Sequence, residues 1–351
     1  MAEKLRVGII GLVSSYSLHY GQSLSEMDGV DFVGLAHLGR DPKYIRDALN
    51  LPWLSKYPKT LEAYAKRFGA DIYETANELI DRGKPNALCI CTEDYLHQRY
   101  ALLAIEHGIH ALLPKPFAQS IEEAEAIFSA ANERQVVAFG VLPHRFRPPA
   151  VTARSAIEEG AIGRPITGHF AIAHHLTLGG WKSDTSMAAG PELEVGFYAF
   201  DLARMLMMSE PVSVMGLGVN LDHRGIPYID NGKCLLTCQN GAIASVDLVM
   251  SLHQPFAPAQ TVYVVGDGGA LTLEDDAVVI HTPDGITRRD IPKWQNGELE
   301  TWLNLCRGRE DGCEEQTRSW QTEGLRTLDL ILAYKQSYQT GETICLNRWE
   351  D

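Results

Sequence analysis

The amino-acid sequence predicts an α/β protein of two domains: a doubly wound parallel sheet, then an α+β domain with a large, mainly antiparallel open sheet. The chain has 351 residues, whereas single hydrophobic cores stop growing at about 250–300 residues. In the first part, short apolar runs alternate with helical spacing, which is typical of parallel βαβ units. From about Gly163 onward the pattern is that of antiparallel strands between turns. We predict domains at 1–143 and 144–351.

The first strand is predicted at residues 5–11, and a tight turn and a helix through Met27 follow it. Later apolar runs predict the other parallel strands, at 30–36, 86–91, 109–113 and 136–141. Helical spacing predicts helices at 96–107 and 120–134. Residues 41–69 are longer than a crossover needs, so we predict a surface excursion there.

The turn after the first strand is a degenerate dinucleotide turn. In the usual GxGxxG pattern the second glycine lets the backbone approach a pyrophosphate. Only Gly11 matches that pattern, because Val13 and Tyr16 occupy the other two glycine positions. Ser14 and Ser15 could still donate hydrogen bonds to a phosphate at the start of the helix. We therefore predict a phosphate site at residues 11–16.

The end of the second strand usually offers an acid to the adenosine ribose. The matching residue here is His37, and Arg40 and Lys43 follow closely. This favours a cofactor with a 2′-phosphate, so that NAD or NADP is expected with a slight lean to NADP. A solvated loop explains the same residues equally well.

A lysine between two prolines follows the strand at 109–113. Proline fixes its own φ and keeps the preceding residue extended, so Pro114 and Pro116 hold Lys115 in a stiff segment. The alternative is a strand terminator with a solvated cation.

The second half contains five predicted strands and three predicted helices. The strands are predicted at 165–178, 232–239, 242–251, 261–265 and 270–273, and two of the helices at 302–306 and 317–338. Gly190 and Pro191 begin the other helix in the favoured order of cap and proline.

Two acids and a phenol lie on one face of the helix that begins at Pro191. Glu194, Tyr198 and Asp201 recur at four and three residues. Buried carboxylates need partners, so two acids and a phenol are unusual residues for a hydrophobic core. The alternative is that Glu194 complements the helix dipole and Tyr198 packs by its ring.

With these motifs the chain resembles, over nearly its whole length, the Gfo/Idh/MocA family of oxidoreductases, which includes glucose-fructose oxidoreductase and inositol dehydrogenase. The segment ICTEDYLH supplies the family's threonine and histidine, Thr92 and His97. Residues 114–116 match its glutamate-lysine-proline motif, and residues 145–148 its RFxP-like segment. Its helix motif DxGxHxxD is matched by Glu194, Gly196, Tyr198 and Asp201.

The chain departs from the family pattern where Pro114 replaces a glutamate, Glu194 an aspartate and Tyr198 a histidine. Some relatives also carry tyrosine at the histidine position. The resemblance implies a Rossmann domain that binds NAD or NADP and a CH–OH substrate such as a sugar or polyol. A catalytically silent dinucleotide-binding sensor and an NAD-dependent glycosidase are the alternatives.

The resemblance and the strand-end positions together give the candidate residues. The catalytic set is Lys115, Tyr198 and Glu194, with lysine and tyrosine as a proton-handling pair. The cofactor set is Gly11, Val13, Ser14, Ser15, Tyr16, His37, Arg40, Thr92, Glu93, His97, Pro114, Lys115 and Arg145. The substrate set is His144, His174, Trp181 and Asp201. No metal is expected, because adjacent histidines on a strand point to opposite faces.

Composition limits the possible partners and compartment. The formal net charge of −14 argues against a nucleic-acid surface, which needs clustered Lys and Arg. No apolar run is long enough to span a bilayer and the amino terminus lacks a signal-peptide pattern, so we expect a cytoplasmic protein that binds no membrane. An open sheet needs its outer face covered, so a homodimer or homotetramer is expected.

Overall fold

The computed structural model describes residues 4–173, 180–253, 260–274, 276–293, 297–308 and 312–348. The chain forms two compact units. The first holds the described residues within Met1–Val141, Thr177–Ala189 and Asn296–Leu325, and the second those within Leu142–Leu176, Gly190–Gln295 and Arg326–Asp351. Each unit therefore draws on separate stretches of the sequence. The domain boundary between residues 143 and 144 stays a prediction.

The first unit is built on a six-stranded parallel sheet. Its strands are β1 (Leu5–Ile10), β2 (Val30–Ala36), β3 (Ile72–Tyr73), β4 (Ala87–Ile90), β5 (His110–Leu113) and β6 (Ala138–Gly140). They lie in the order β3-β2-β1-β4-β5-β6, so β1 is flanked by β2 and β4. This order is that of a doubly wound fold. The predicted fold class of the first part is confirmed.

Six helices connect these strands: α1 (Ser15–Glu26), α2 (Pro42–Ala48), α3 (Leu61–Phe68), α4 (Ala76–Glu78), α5 (His97–Glu106) and α6 (Ile121–Glu133). The segment 41–69, predicted to be a surface excursion, forms α2 and α3 and buries Ile45, Leu54 and Tyr64. The Tyr64 hydroxyl donates to the carbonyl oxygen of Ser17 at 2.8 Å. These contacts bind the segment to the first unit.

The second unit contains a nine-stranded sheet. Its strands are β7 (Pro165–Ala173), β8 (Pro211–Val219), β9 (Asn231–Cys238), β10 (Ile243–Val249), β11 (Gln260–Gly266), β12 (Ala270–Leu273), β13 (Ala277–Thr282), β14 (Gly285–Asp290) and β15 (Ile344–Cys345). Their order is β14-β13-β12-β11-β7-β10-β9-β8-β15. Within the described part of this sheet only β7 and β10 pair in parallel, and the other pairs are antiparallel. The mainly antiparallel sheet was predicted, although β7 covers only part of the predicted strand, whose residues 174–178 lie outside the described residues.

Two helices of the second unit begin at prolines: α7 (Pro148–Glu158) and α8 (Pro191–Met207), which lies against β7 and β10. Near the carboxyl terminus, α9 (Gly297–Cys306) belongs to the first unit, and α10 (Cys313–Thr340) is divided between the two. Among the helices that the structure describes, none combines the length and apolarity needed to span a bilayer.

The turn after β1 requires a glycine at Gly11. Its φ is +95°, a backbone conformation that residues with a side chain rarely adopt. A Cβ atom there would lie 2.6 Å from the carbonyl oxygen of Cys91 and 2.8 Å from the amide nitrogen of Thr92. The first residue of the degenerate dinucleotide turn is thus fixed by the close approach of the chain that follows β4.

We predict that Gly11→Ala destabilises the first unit by about 1–3 kcal/mol more than Gly39→Ala does, because an added Cβ clashes with the backbone only at Gly11. Gly39 is a matched control, since its φ is +66° and nothing lies within 4 Å of the place that a Cβ atom would take there. Denaturant unfolding followed by circular dichroism measures both variants. Equal losses would show that strain in φ, and not the clash, limits this turn.

Candidate active site

The amino terminus of α1 follows directly on the glycine turn. Ser14 caps the helix, and its hydroxyl accepts a hydrogen bond from the Tyr16 amide at 3.3 Å. The Ser17 hydroxyl donates to the Ser14 carbonyl oxygen at 2.6 Å. Helix amino termini present free amides and a partial positive charge. The turn and α1 can therefore receive an anionic group, as the sequence predicted.

Val13 packs with an indole ring. It is buried in an apolar cluster with Trp181 and Ala188, and three partly buried side chains pack on this cluster: Tyr44, Ala48 and Met187. The Trp181 Nε1–H donates to the Val13 carbonyl oxygen at 3.1 Å. Trp181 was predicted to contact substrate, but in this unit its N–H donor is already used by the glycine turn.

The stretch that carries Trp181 is held to the loop after β4. The Ala189 amide donates to Asp94 Oδ2 at 2.8 Å, and the Tyr95 amide donates to the Met187 carbonyl oxygen at 3.2 Å. With the indole bond these contacts hold residues 180–189 at three points. No spacing in the sequence indicates this arrangement, because the partners are far apart in the chain. Ala189 and Asp94 are separated by 95 residues, and Trp181 and Val13 by 168.

A buried carboxylate joins the loops that follow β2 and β4. Glu93 Oε1 accepts a hydrogen bond from the Tyr44 hydroxyl at 2.6 Å and lies 2.8 Å from Arg40 Nη2. The Glu93 side chain is 1% exposed and that of Arg40 is 29% exposed. The Arg40 guanidinium lies 5.1 Å from the centroid of the Tyr44 ring. Two predicted cofactor residues are thus directly paired.

Lys115 is buried at the end of β5, in keeping with a lysine whose position is fixed. The Lys115–Pro116 peptide bond is cis. The buried imidazole of His97 donates its Nδ1–H to the Pro116 carbonyl oxygen at 2.9 Å. The family-like histidine therefore fastens the Lys115 segment to the start of α5.

In the second unit, α8 is buried along its whole length except at Glu194 and Tyr198, which are half-buried. The sequence predicted that these residues share a face. A carboxylate and a phenol are thus presented together by a helix that is otherwise core.

The Tyr198 ring is held between a histidine and an arginine. The His144 ring meets it edge-on, with centroids 5.5 Å apart at 89°, and the Arg147 guanidinium lies 5.3 Å from its centroid. Burial, and then the charge of Arg147, lower the pKa of His144 to about 3. His144 is therefore a neutral imidazole at neutral pH. Arg147 was not among the predicted residues, although it belongs to the segment that resembles RFxP.

Asp201 is fully buried and holds the segment that carries His144 and Arg147. Its carboxylate accepts from Arg145 Nε at 3.0 and 3.1 Å and from Arg145 Nη2 at 2.9 Å. The Thr327 hydroxyl donates to Oδ1 at 3.0 Å, and Arg204 Nη1 lies 3.9 Å away. Asp201 and Arg145, predicted to contact substrate and cofactor respectively, bind each other in this unit.

The predicted residues therefore fall into two sets. The first unit holds Gly11, Val13, Ser14, Ser15, Tyr16, His37, Arg40, Thr92, Glu93, His97, Pro114, Lys115 and Trp181. The second holds His144, Arg145, Glu194, Tyr198 and Asp201. His174 lies outside the described residues. Within the described part of the chain, no group of three or more His, Cys, Asp or Glu side chains could hold a metal ion.

Comparison with known proteins gives two family matches. Residues 5–141 match a model described as an oxidoreductase family with an NAD-binding Rossmann fold, and residues 150–272 match the GFO/IDH/MocA C-terminal domain. D-apiose dehydrogenase of Rhizobium rhizogenes is 24% identical over 307 residues, or 82% of this chain and 87% of that protein. 1,5-anhydro-D-fructose reductase of Ensifer adhaerens is 32% identical over 160 residues, or 44% of this chain and 48% of that protein.

Among solved structures, an oxidoreductase from Agrobacterium radiobacter in complex with NAD+, L-tartaric acid and magnesium has a TM-score of 0.76. It is 20% identical and the match covers 97% of this chain and 98% of that one. At this identity the likeness shows the fold alone.

We predict that Asp201→Asn lowers the free energy of unfolding by about 3–5 kcal/mol, because the partly buried guanidinium of Arg145 loses its anion. Asp290→Asn removes an exposed carboxylate from the same unit and should hardly change stability. Denaturant unfolding of both variants makes the comparison. If Asp201→Asn behaves like its control, the carboxylate is not needed to hold Arg145.

Proposed function

Because this chain belongs to the Gfo/Idh/MocA family of oxidoreductases, we propose that it transfers hydride between a nicotinamide cofactor and the CH–OH carbon of a sugar, polyol or related hydroxy compound. The observation that carries the proposal is the pair of reactive side chains, Glu194 and Tyr198, presented by an otherwise buried helix. The relatives support the substrate class, since apiose and anhydrofructose are both sugars.

The residues of the first unit fit a dinucleotide. Gly11 gives the tight turn, and Ser14 and Ser15 begin the helix that would hold the pyrophosphate. A buried oxygen of Glu93, Oε2, has no hydrogen-bond partner among the described residues and can accept one from the ligand. When bound, the nicotinamide supplies the hydride acceptor or donor.

In the proposed reaction the phenolate form of Tyr198 receives the hydroxyl proton of the substrate during oxidation, and the resulting phenol returns that proton during reduction. The cation of Arg147, which lies 5.3 Å from the centroid of its ring, stabilises the negative charge of this phenolate. His144 is neutral and adds no opposing charge on that side. Lys115 and Glu194 complete the proposed set on the strength of the sequence motif, with the lysine orienting the hydroxyl and the carboxylate keeping the lysine charged.

A catalytically silent dinucleotide-binding sensor is the second candidate. Val13 favours this candidate, because it is buried against Trp181 and Ala188. In the usual dinucleotide turn its position belongs to the glycine that lets the backbone approach the pyrophosphate. A screen of sugars and polyols with both nucleotides separates the two, because a sensor binds nucleotide without turnover.

We predict that Tyr198→Phe lowers turnover by about a hundredfold or more while nucleotide affinity hardly changes, since the variant keeps the ring and loses the proton carrier. Lys115→Met should have a similar effect, and the double variant should cost little beyond the worse single change, because groups that act as one unit are not additive. Steady-state kinetics and nucleotide titration measure both quantities.

The control for this pair is Tyr263→Phe, which removes a phenol from an exposed position of the second unit's sheet. Fully additive losses would mean that Lys115 and Tyr198 work separately. Unchanged turnover in both single variants would refute the proposed catalytic set.

We also propose that the protein is a homodimer or homotetramer joined through the outer face of the nine-stranded sheet. Met215 of β8 lies opposite Leu235 of β9, and they are 52% and 60% exposed. Further exposed apolar side chains on this face are Leu217, Val219, Ile243 and Tyr263. Exposed apolar side chains gathered on one face of a sheet are typical of an interface.

We predict that light scattering gives the mass of two or four chains and that Leu235→Lys shifts it towards one chain, because a buried lysine without a partner disfavours association. Val151→Lys places the same charge on an exposed position of α7, outside the sheet, and should leave the mass unchanged. A wild-type mass of one chain at micromolar concentration would contradict the proposal.

A further inference from the structure

We propose that Glu93 binds the hydroxyl groups of the adenosine ribose and thereby makes the protein select NAD over NADP. The inference rests on the proposed function, because it requires that the first unit binds a nicotinamide dinucleotide. It replaces the lean to NADP that the sequence around His37 suggested, and it assigns the ribose contact to a residue in the loop after β4.

The position of Glu93 in the sheet is the first argument. Ligands of doubly wound sheets bind outside the carboxyl ends of the strands, and an acid after β2 usually accepts hydrogen bonds from the ribose. In this chain β2 ends at Ala36 and His37 follows, so that acid is missing. Glu93 follows β4, the strand on the other side of β1, and reaches Arg40 and Tyr44 in the segment that follows β2. A carboxylate is therefore present at this edge after all.

The second argument is that only half of this carboxylate is satisfied within the protein. Oε1 is held by the Tyr44 hydroxyl and by Arg40, whereas Oε2 is buried and has no hydrogen-bond partner among the described residues. A buried acceptor without a donor costs free energy. A ribose hydroxyl is a neutral donor that would satisfy Oε2. The free oxygen is what a ribose-binding carboxylate needs.

The third argument concerns Arg40, the residue that would otherwise attract a 2′-phosphate. Its guanidinium is already paired with Glu93, and transferring it to a phosphate would leave a buried carboxylate without its cation. The phosphate would also lie close to that carboxylate, and like charges at short range repel. Lys43 does not replace Arg40, because its ammonium is paired with Asp47 at 2.8 Å and is largely exposed.

Tyr44 keeps the arrangement in place over the physiological pH range. Burial, and then its hydrogen bond to the Glu93 carboxylate, raise the pKa of Tyr44 well above its ordinary value. The phenol therefore stays protonated and always donates to Oε1. This leaves Oε2 as the oxygen of Glu93 without a hydrogen-bond donor among the described residues.

The test is calorimetric titration of the wild-type protein with NADH and NADPH. We expect NADH to bind at least about tenfold more tightly. ADP-ribose and its 2′-phosphorylated form, which lack the nicotinamide, should show the same preference. Equal affinities, or tighter binding of NADPH, would overturn this inference and leave the proposed function standing. If neither dinucleotide binds, the proposed function itself fails.

The matched variants are Glu93→Gln and Asp47→Asn. Each removes one negative charge, but only Glu93→Gln removes the carboxylate from the buried site and releases Arg40. We expect the preference for NADH to fall to about threefold or less in Glu93→Gln and to stay at the wild-type value in Asp47→Asn. An unchanged preference in a folded Glu93→Gln protein would overturn the inference. The wild-type titration decides the matter if that variant does not fold.

Discussion

The second unit depends on a carboxylate that has no access to water. Asp201 is fully buried on α8, and an isolated charge in such a place would be strongly unfavourable. Arg145 resolves this by donating to both carboxylate oxygens, and Thr327 donates to one of them. The pair also has a geometric effect, because it holds the short turn Pro143–Phe146 against the helix. That turn and the residue after it provide His144 and Arg147, which fix the ring of Tyr198.

The two units contain the same kind of ion pair, but the two carboxylates differ in their hydrogen bonds. In each, a buried carboxylate is paired with an arginine: Asp201 with Arg145, and Glu93 with Arg40. Both oxygens of Asp201 are satisfied inside the protein, so this group is a support. Glu93 has one oxygen satisfied and one open, so it keeps the capacity to bind. The unpaired oxygen is what distinguishes Glu93, the proposed ribose ligand, from Asp201.

Much of the first unit could be predicted from the sequence, because strands buried on both faces are continuous apolar runs. The strands β1, β2, β4 and β5 have this pattern, whereas β3 has two residues and leaves no signal. In the second unit β13, β14 and β15 escaped prediction, and so did β8. Its run contains Gly216, against which the ring of Tyr334 packs so closely that a Cβ would lie 2.8 Å away. Such a glycine interrupts the alternation of apolar and polar side chains from which a strand is predicted.

The candidate site was predictable to the extent that it rests on local order. The common face of Glu194 and Tyr198 follows from helical periodicity alone. The pairing of Arg145 with Asp201, fifty-six residues apart, and the cover of Trp181 over Val13 depend on the tertiary fold. The same holds for Arg147, because a guanidinium above a ring leaves no periodic signal. The sequence therefore predicted the common face of Glu194 and Tyr198 better than it predicted the contacts that hold these residues.

The division of the first unit among three separate stretches of chain has a consequence for biosynthesis. Its six strands are complete once residue 140 has emerged, but two other parts are translated later. One is Trp181, which packs on Val13. The other is α9, where Glu298 Oε1 accepts a hydrogen bond from the Tyr20 hydroxyl at 3.0 Å. At ribosomal rates of about 5–20 residues per second, the last of these stretches follows by roughly ten to thirty seconds. During that interval the nascent sheet exposes apolar surface that the finished protein conceals. The first unit can therefore complete its core only when nearly the whole chain has been translated.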